Sequence, residues 1–243
     1  MDDDLTFCIG FRSWNPDHLR RCLASLTPFG QPIIVTIGDE HLPDWCASNG
    51  RVMDGPATWI HRPMPVWSRA VALNHAARTA ETPFTVLTDA DMLFPAHWLP
   101  AARRMIPTFR LLLTDSRDLD QKMTEGWEHL RGARWFVSDD ARLETVSIPH
   151  DRVGQGAATV VSREWFLDVG GFDETYKIWG SEDNDLVMRA RWDGLVVRWI
   201  PNTFVVHQWH PIEATEDQWA QVVKNRVYLY ERMAEGGPIV RNR

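Results

Sequence analysis

The stretch TVLTDADMLF, residues 85–94, ends an apolar run with two carboxylates one residue apart, Asp89 and Asp91. The run FTVLT, residues 84–88, is typical of a buried strand in a parallel sheet. Asp often ends a strand by bonding to its own turn, so a plain turn is one interpretation of the pair. Ligands of open α/β sheets bind at the carboxyl ends of the strands, so a binding site is the other interpretation.

The segments before this run alternate between strand and helix patterns. Residues 7–11 and the stretch PIIVTIGD, residues 32–39, predict strands, and NPDHLRRCLASL, residues 15–26, predicts a helix that begins at Asn15 and Pro16. VWSRAVALNHAARTAE, residues 66–81, predicts another helix. Its apolar stripe comprises Val66, Ala70, Leu73 and Ala77, and Ser68, Arg69, Asn74 and Arg78 lie off that stripe. The alternation predicts an α/β fold with a mostly parallel, Rossmann-like sheet and helices on both faces.

The second half of the chain is less regular. Residues 115–152 are polar and aperiodic, which predicts an inserted region or long loops over the crevice. Order returns with ATVVS, residues 158–162, as a strand and REWFLDVG, residues 163–170, as a short helix closed by Gly170 and Gly171.

The composition is that of a globular protein, with 243 residues, 44% of them hydrophobic, and a net charge of −7. The negative charge argues against general binding to nucleic-acid backbone. Cys8, Cys22 and Cys46 have no zinc-type spacing and are odd in number, so we expect reduced thiols. We find neither a secretory signal nor a run of about 20 apolar residues, so we predict a cytoplasmic protein without a membrane span.

The densest acidic cluster is WGSEDNDLVMRARW, residues 179–192. We expect Ser181 to cap a helix whose first turn carries Glu182 and Asp183. Carboxylates at a helix N-terminus are favoured by the helix dipole, so a well-charged helix start is one interpretation. A carboxylate held there can also take a proton from an attacking hydroxyl, as a general base does.

Two imidazoles follow an apolar strand in VVHQWHP, residues 205–211. A histidine after a strand is more often structural than a metal ligand. Together with the carboxylate of Asp91, however, His207 or His210 would suit Mn²⁺ or Mg²⁺ better than a structural zinc.

These three segments together resemble the nucleotide-sugar glycosyltransferases of the GT-A fold. The resemblance is strongest to the family 2 enzymes, the β-1,4-galactosyltransferase and chondroitin-polymerase group and the polypeptide N-acetylgalactosaminyltransferases. Their second halves carry Gly-Gly, a Phe-Asp or Tyr-Asp pair, a Trp-Gly-x-Glu-Asp or Trp-Gly-Gly-Glu-Asn block and a later metal-binding His. The corresponding stretch here is GGFDETYKIWGSEDNDLVMR, residues 170–189, and the resemblance covers residues 5–211. It implies the GT-A fold.

The resemblance also implies a divalent cation, Mn²⁺ or Mg²⁺. Asp91 would bind the metal, and Asp89 would hold the donor ribose or a metal-bound water, or bind the metal itself. His207 would complete the protein ligands. His210 is the weaker candidate because it lies past the end of the strand.

For the nucleotide-sugar donor, the resemblance implies contacts from Asp39 to the nucleoside and from Arg69 and Asn74 to the nucleotide or its diphosphate. A surface charge or a helix cap is the plain alternative for each of these three. Trp179 and Gly180 of the Trp-Gly block would line the same site. The other tryptophans that we expect in pocket walls are Trp127, Trp135 and Trp209.

For catalysis, the resemblance implies that Asp183 is the general base and that Glu182 orients the acceptor. We expect inversion, because the chain has Glu-Asp where the retaining N-acetylgalactosaminyltransferases have Glu-Asn. Ser181 departs from the usual Gly, which would either narrow the acceptor side or improve the helix cap.

The predicted protein is therefore a metal-dependent glycosyltransferase with a uridine-linked donor. One domain, residues 1–243, would hold a nucleotide-sugar-binding half, residues 1–95, and an acceptor-binding and catalytic half, residues 96–243. Without a stem, anchor or lectin domain it would be a bare catalytic module. The acceptor stays open among a glycan, a lipid-linked sugar, a peptide, a small molecule and a modified DNA base of a phage.

Two other classes fit parts of the pattern. Nucleotidyltransferases also bind Mg²⁺ through paired Asp residues, but CIGFRSWNPDH, residues 8–18, lacks their Gly-rich phosphate loop with a basic residue. A noncatalytic sugar- or nucleotide-binding module could keep the fold, although the complete set of acidic residues and His207 argues against it.

Overall fold

A computed structural model describes residues 4–12, 15–41, 57–125, 156–211, 214–240 and 242. The described strands are β1 (Leu5–Phe11), β2 (Ile33–Ile37), β3 (Ala57–His61), β4 (Phe84–Asp89), β5 (Met92–Leu93), β6 (Leu111–Asp118), β7 (Ala158–Ser162) and β8 (Val197–His207). The described α-helices are α1 (Pro16–Leu26), α2 (Arg69–Thr79), α3 (Trp98–Met105), α4 (Gln121–Glu125), α5 (Arg163–Asp168), α6 (Glu182–Trp192) and α7 (Glu216–Glu235).

These strands form one eight-stranded sheet in the order β3-β2-β1-β4-β7-β6-β8-β5. Strands β1 to β4 are mutually parallel, and β6 and β8 run in the same direction. Strands β7 and β5 are antiparallel to their neighbours. The sheet is therefore mixed but mostly parallel, and the predicted α/β class is confirmed.

Apolar clusters on the two faces of the sheet explain why both faces carry helices. One cluster joins Leu19 of α1 and Trp98 of α3 to inward-facing residues such as Phe7 of β1. The other joins Leu73 of α2 and Leu186 of α6 to residues such as Cys8. Side chains alternate between the faces of a strand, so β1 supplies both clusters. Cys22 in the first cluster and Cys8 in the second are buried free thiols, and Cys46 lies outside the described residues.

The predicted start of α1 is confirmed, because Asn15 is its N-cap and accepts a hydrogen bond from the backbone of His18. The stripe predicted for α2 is partly wrong. Val66 precedes the helix and is 58% exposed, whereas Arg69 and Asn74 are buried. The reason is that helix α2 packs between the sheet and the segment around Phe172, so a second, polar face is also covered.

The prediction of irregular structure from residue 115 onward is wrong at its beginning. Strand β6 continues to Asp118, and helix α4 follows it. Pairing with β8 keeps these polar residues in the sheet, which a search for apolar periodicity does not detect. Residues 126–152 lie outside the described residues. No helix in the described ranges combines the length and apolarity that crossing a bilayer requires.

Candidate functional site

The ends of β4 and β8 meet through the short strand β5. Asp89 is the last residue of β4, and Asp91 follows in the turn. Strand β5 then pairs antiparallel with β8, with Met92 opposite His207. The backbone N–H of Gln208 donates to the carbonyl of Asp91 at 3.0 Å. The turn after Asp89 is therefore fixed against the end of β8 by backbone pairing.

Three side chains converge at this junction. Asp91 Oδ2 lies 3.5 Å from His207 Nε2 and 3.4 Å from His210 Nε2. One donor atom from each of the three lies within 4.8 Å of the others. His210, which the sequence favours less than His207, is therefore as close to Asp91 as His207 is.

The donor set fits a divalent transition-metal ion. Asp91 Oδ1 is buried and lacks a hydrogen-bond partner among the described residues, so one oxygen is available to a cation. His207 Nδ1 lies 2.9 Å from Asp118 Oδ1, and His210 Nδ1 lies 3.1 Å from the carbonyl of Pro211. An oxygen acceptor at each Nδ1 places a ring proton there and leaves Nε2 as the ligand atom.

The charged groups of this cluster shift one another's pKa values. Burial would raise the pKa of Asp91, but hydrogen bonds from His207 and His210 outweigh burial and lower it. Burial would lower the pKa of His207, but Asp118 and Asp91 raise it to about 10. Without a cation, His207 is therefore an imidazolium between two carboxylates, and a metal would have to displace its Nε2 proton.

Asp89 has a different partner. Its Oδ1 accepts from Arg69 Nε at 2.5 Å, and it is not a member of the group of donor atoms around Asp91. The structure thus brings Asp91 and His207 together as the sequence predicts, and it places the carboxylate of Asp89 on a neighbouring guanidinium.

Arg69 is the centre of a buried charge network. Arg69 is the first residue of α2 and is only 7% exposed. Its Nη1 donates to Glu182 Oε1 at 3.2 Å and lies 3.1 Å from both carboxylate oxygens of Asp183. Its Nη2 donates to the carbonyl of Gly156 at 2.7 Å. One cation therefore links the end of β4 to the start of α6.

The two acidic residues that begin α6 differ in exposure. The side chain of Asp183 is 18% exposed, whereas that of Glu182 is 3% exposed. Burial and the nearby charge of Asp183 raise the pKa of Glu182 to about 7, against the opposing effect of Arg69. A Cβ on Gly156 would clash with Asp183, so that glycine allows the backbone to approach the carboxylate closely. Asp183 can be reached from outside, and Glu182 cannot.

The predicted N-cap position of Ser181 is confirmed, but the predicted capping by its side chain is wrong. Ser181 occupies the N-cap position of α6, but its side chain makes no capping bond and its φ is +78°. Gly180 before it has φ +98°, and the carbonyl of Trp179 accepts from Asn225 of α7 at 2.9 Å. An N-cap residue that caps through its side chain has an extended backbone, whereas Ser181 is left-handed. The left-handed backbone also gives a physical reason for glycine at this position in the families that the chain resembles.

The remaining predicted donor contacts have other partners in the structure. Asn74 is buried, donates to the carbonyl of Phe172 and accepts from its N–H. Asp39 follows β2 and is half-buried, and its carbonyl accepts from His61 Nε2 at 2.9 Å. Trp179 is half-buried and Trp209 exposed, and Trp127 and Trp135 lie outside the described residues.

Sequence reasoning missed Asp118, because it falls in a segment without periodicity. It also missed Gln208, whose side chain donates to the carbonyl of His18 at 3.1 Å and accepts from Arg21 at 3.3 Å. The signal for Gln208 is its position between His207 and His210. No local signal marks Asp118 as a partner of His207, because 89 residues separate the two.

Comparisons of the sequence with known proteins identify glycosyltransferases. A family model described as the N-terminal domain of galactosyltransferase matches residues 150–210. A Drosophila melanogaster protein named as a polypeptide N-acetylgalactosaminyltransferase is 25% identical over 155 residues, which are 58% of this chain and 27% of that protein. A Caenorhabditis elegans protein named as an N-acetylgalactosaminyltransferase is 36% identical over 63 residues, 25% of this chain and 11% of that protein.

Solved structures give the same result for the fold. GalNAc-T7, solved with UDP, GalNAc and Mn²⁺, matches 93% of this chain with a TM-score of 0.67 at 15% identity. The mannosyltransferase PcManGT from Pyrobaculum calidifontis, in complex with GDP-Man and Mn²⁺, matches 98% with a TM-score of 0.62 at 16% identity. The chain spans 48% and 66% of those two proteins. It has the GT-A fold, and the resemblance predicted from its motifs is confirmed.

Proposed function

We propose that this chain is a metal-dependent glycosyltransferase that moves a sugar from a nucleotide-diphosphate sugar to an acceptor hydroxyl with inversion. The observation that carries the proposal is the convergence of Asp91, His207 and His210 at the ends of β4 and β8, in a chain that has the GT-A fold. These three residues would hold Mn²⁺ or Mg²⁺. When bound, the cation would stabilise the negative charge that develops on the departing diphosphate.

Asp183 is the proposed general base. Its carboxylate is partly exposed and Arg69 contacts both of its oxygens, so its position is fixed while its outer surface stays accessible. It would accept the proton of the acceptor hydroxyl as that oxygen bonds to the anomeric carbon. The bond from that carbon to the donor phosphate breaks, and its electron pair leaves with the diphosphate.

Arg69 and Glu182 would hold Asp183 in position from the buried side of the site. Glu182 is buried, so it would orient the acceptor through its neighbours. Its contact with Arg69 Nη1 supports a positioning role, because Arg69 in turn holds Asp183. Arg69 also holds Asp89, so the same guanidinium supports the donor side of the site.

The donor would lie across the carboxyl ends of the first strands. We propose Asp39, Asp89, Trp179 and Gly180 as its contacts, with a uridine-linked donor, since UDP occupies the similar GalNAc-T7 and S. aureus TarS. Asn74 is buried against Phe172, so it would act by holding that turn. Residues 1–95 would form most of the nucleotide site, and residues 96–243 would supply the base and the acceptor side.

A thermal-shift panel of nucleotide sugars with and without Mn²⁺ tests the proposal. A true donor should raise the melting temperature only when the metal is present, since ligands stabilise the state that binds them. Donor hydrolysis or transfer should follow the same metal dependence, and Asp91→Ala should abolish both.

Two results would count against the proposal. Full activity of Asp91→Ala in metal-controlled buffer would remove its assigned role as a ligand. Donor binding without hydrolysis or transfer across a broad acceptor panel would instead identify a noncatalytic binding module.

A further inference from the structure

We propose that Asp118 is a positioning residue that fixes the ring of His207 for metal binding. The inference rests on the proposed metal centre and adds a residue to it. Neither the motifs of the chain nor its resemblance to other proteins assigns a role to Asp118.

The sheet itself sets the contact between the two residues. Strands β6 and β8 are parallel neighbours. Asp118 is the last residue of β6 and His207 is the last residue of β8, and the two residues lie opposite each other. The next backbone N–H, that of Leu119, donates to the carbonyl of His207 at 2.9 Å. Backbone pairing therefore holds Asp118 beside His207 whether or not the side chains interact.

The side-chain bond then decides which ring nitrogen faces Asp91. With Nδ1 donating to Asp118 Oδ1 at 2.9 Å, Nε2 points to Asp91 Oδ2 at 3.5 Å. A carboxylate on the far nitrogen of a metal-binding histidine fixes the tautomer and the ring orientation, and makes the ligand nitrogen more basic. Without Asp118, the ring could turn about its Cβ–Cγ bond and lose this alignment.

The other histidine depends on a different kind of partner. His210 Nδ1 contacts the backbone carbonyl of Pro211, which no side-chain substitution removes. A change at Asp118 should therefore act on one ligand and leave the other in place. We expect a weakened metal centre, not an abolished one.

The experiment measures Mn²⁺ binding to the full chain by electron paramagnetic resonance, without nucleotide. Asp118→Ala should weaken binding about tenfold, the lower end of the usual range, because the Asp118 side chain is 38% exposed. Asp118→Asn should recover part of the loss, because its amide oxygen still accepts from Nδ1. Asp168→Ala removes an exposed carboxylate on α5 and should bind as the unchanged chain does.

A spectroscopic readout separates positioning from a general loss of structure. The visible spectrum of bound Co²⁺ reports the ligand geometry, so Asp118→Ala should change its band positions and Asp168→Ala should not. The melting temperature of each metal-free variant checks that the fold is intact.

The outcomes distinguish a failure of the positioning role of Asp118 from a failure of the metal centre itself. If the unchanged chain binds Mn²⁺ and Asp118→Ala binds it equally well with the same Co²⁺ spectrum, the positioning role is wrong and the metal centre stands. If the unchanged chain binds neither ion, the metal centre itself is wrong, and the inference about Asp118 is wrong with it.

Discussion

Arg69 Nη1 lies 3.1 Å from both carboxylate oxygens of Asp183, although 114 residues separate the two in the sequence. The same guanidinium holds Asp89 and Glu182, so three carboxylates share one buried cation. The end of β4 and the start of α6 therefore form one electrostatic unit.

Substitution of Arg69 should affect stability and catalysis differently. Arg69→Ala leaves the three carboxylates without their cation, and removing one partner of a buried ion pair costs about 3–5 kcal/mol in the free energy of unfolding. Arg69→Lys keeps the charge, but one ammonium group cannot reproduce the geometry of the guanidinium. We expect a folded Arg69→Lys protein whose kcat falls about 100-fold with a smaller change in KM for the donor.

Urea unfolding and steady-state kinetics measure these effects. Arg20→Lys, in an exposed pair with Asp17 on α1, is the matched control and should change neither quantity. Normal turnover by Arg69→Lys would show that the network is structural only.

Ser181→Gly should stabilise the protein. A residue with a side chain at φ +78° is strained by roughly 1 kcal/mol, and the Ser181 side chain makes no capping bond that would offset this strain. We expect the free energy of unfolding to rise by up to about 1 kcal/mol. The comparison is Ser162→Gly, at the N-cap of α5 with an ordinary φ of −56°, which should lose stability. A loss at Ser181 as well would mean that its hydroxyl has an important contact.

Glu182→Gln should alter the pH dependence of stability. The pKa of Glu182 rises from 4.5 to about 7 on folding, so the folded chain binds more protons than the unfolded chain between these values. The contribution of Glu182 to stability therefore falls as pH rises through this window. We expect the free energy of unfolding of Glu182→Gln, relative to that of the unchanged chain, to rise by on the order of 2 kcal/mol as the pH increases from 4.5 to 7.

Chemical denaturation at a series of pH values measures this difference. Asp168→Asn, a substitution of an exposed carboxylate on α5, controls for the loss of one charge. Parallel pH curves for the unchanged chain and Glu182→Gln would contradict the raised pKa.

Mn²⁺ should bind more tightly than Mg²⁺. Two of the three converging donors are imidazole nitrogens, whereas Mg²⁺ prefers oxygen ligands in octahedral geometry. We expect the dissociation constants of the two ions to differ at least tenfold by isothermal titration calorimetry. His210→Ala should make this difference smaller. Equal affinity for the two ions, unchanged in His210→Ala, would show that the imidazoles do not bind the metal.

The sequence predicted the elements whose signals are local. An apolar run such as FTVLT favours a buried position in any fold of the chain. Asn15 caps α1 through a hydrogen bond from the backbone of His18, only three residues further along the chain. The order of the Asp-x-Asp pair, the Trp-Gly block and the later histidine was enough to predict the GT-A fold. Polar strand ends escaped detection, because the first polar residues after Leu113 stay in β6 only through pairing with β8.

The partners within the candidate site were decided by the tertiary structure. From the sequence alone one can predict only that carboxylates and imidazoles follow the ends of strands. Only the register of β6 against β8 places Asp118 on His207, and only the tertiary fold brings Arg69, the first residue of α2, beside Asp183 in the first turn of α6. Such contacts join residues about 90 or more positions apart, so their energies depend on burial and alignment that no local pattern encodes.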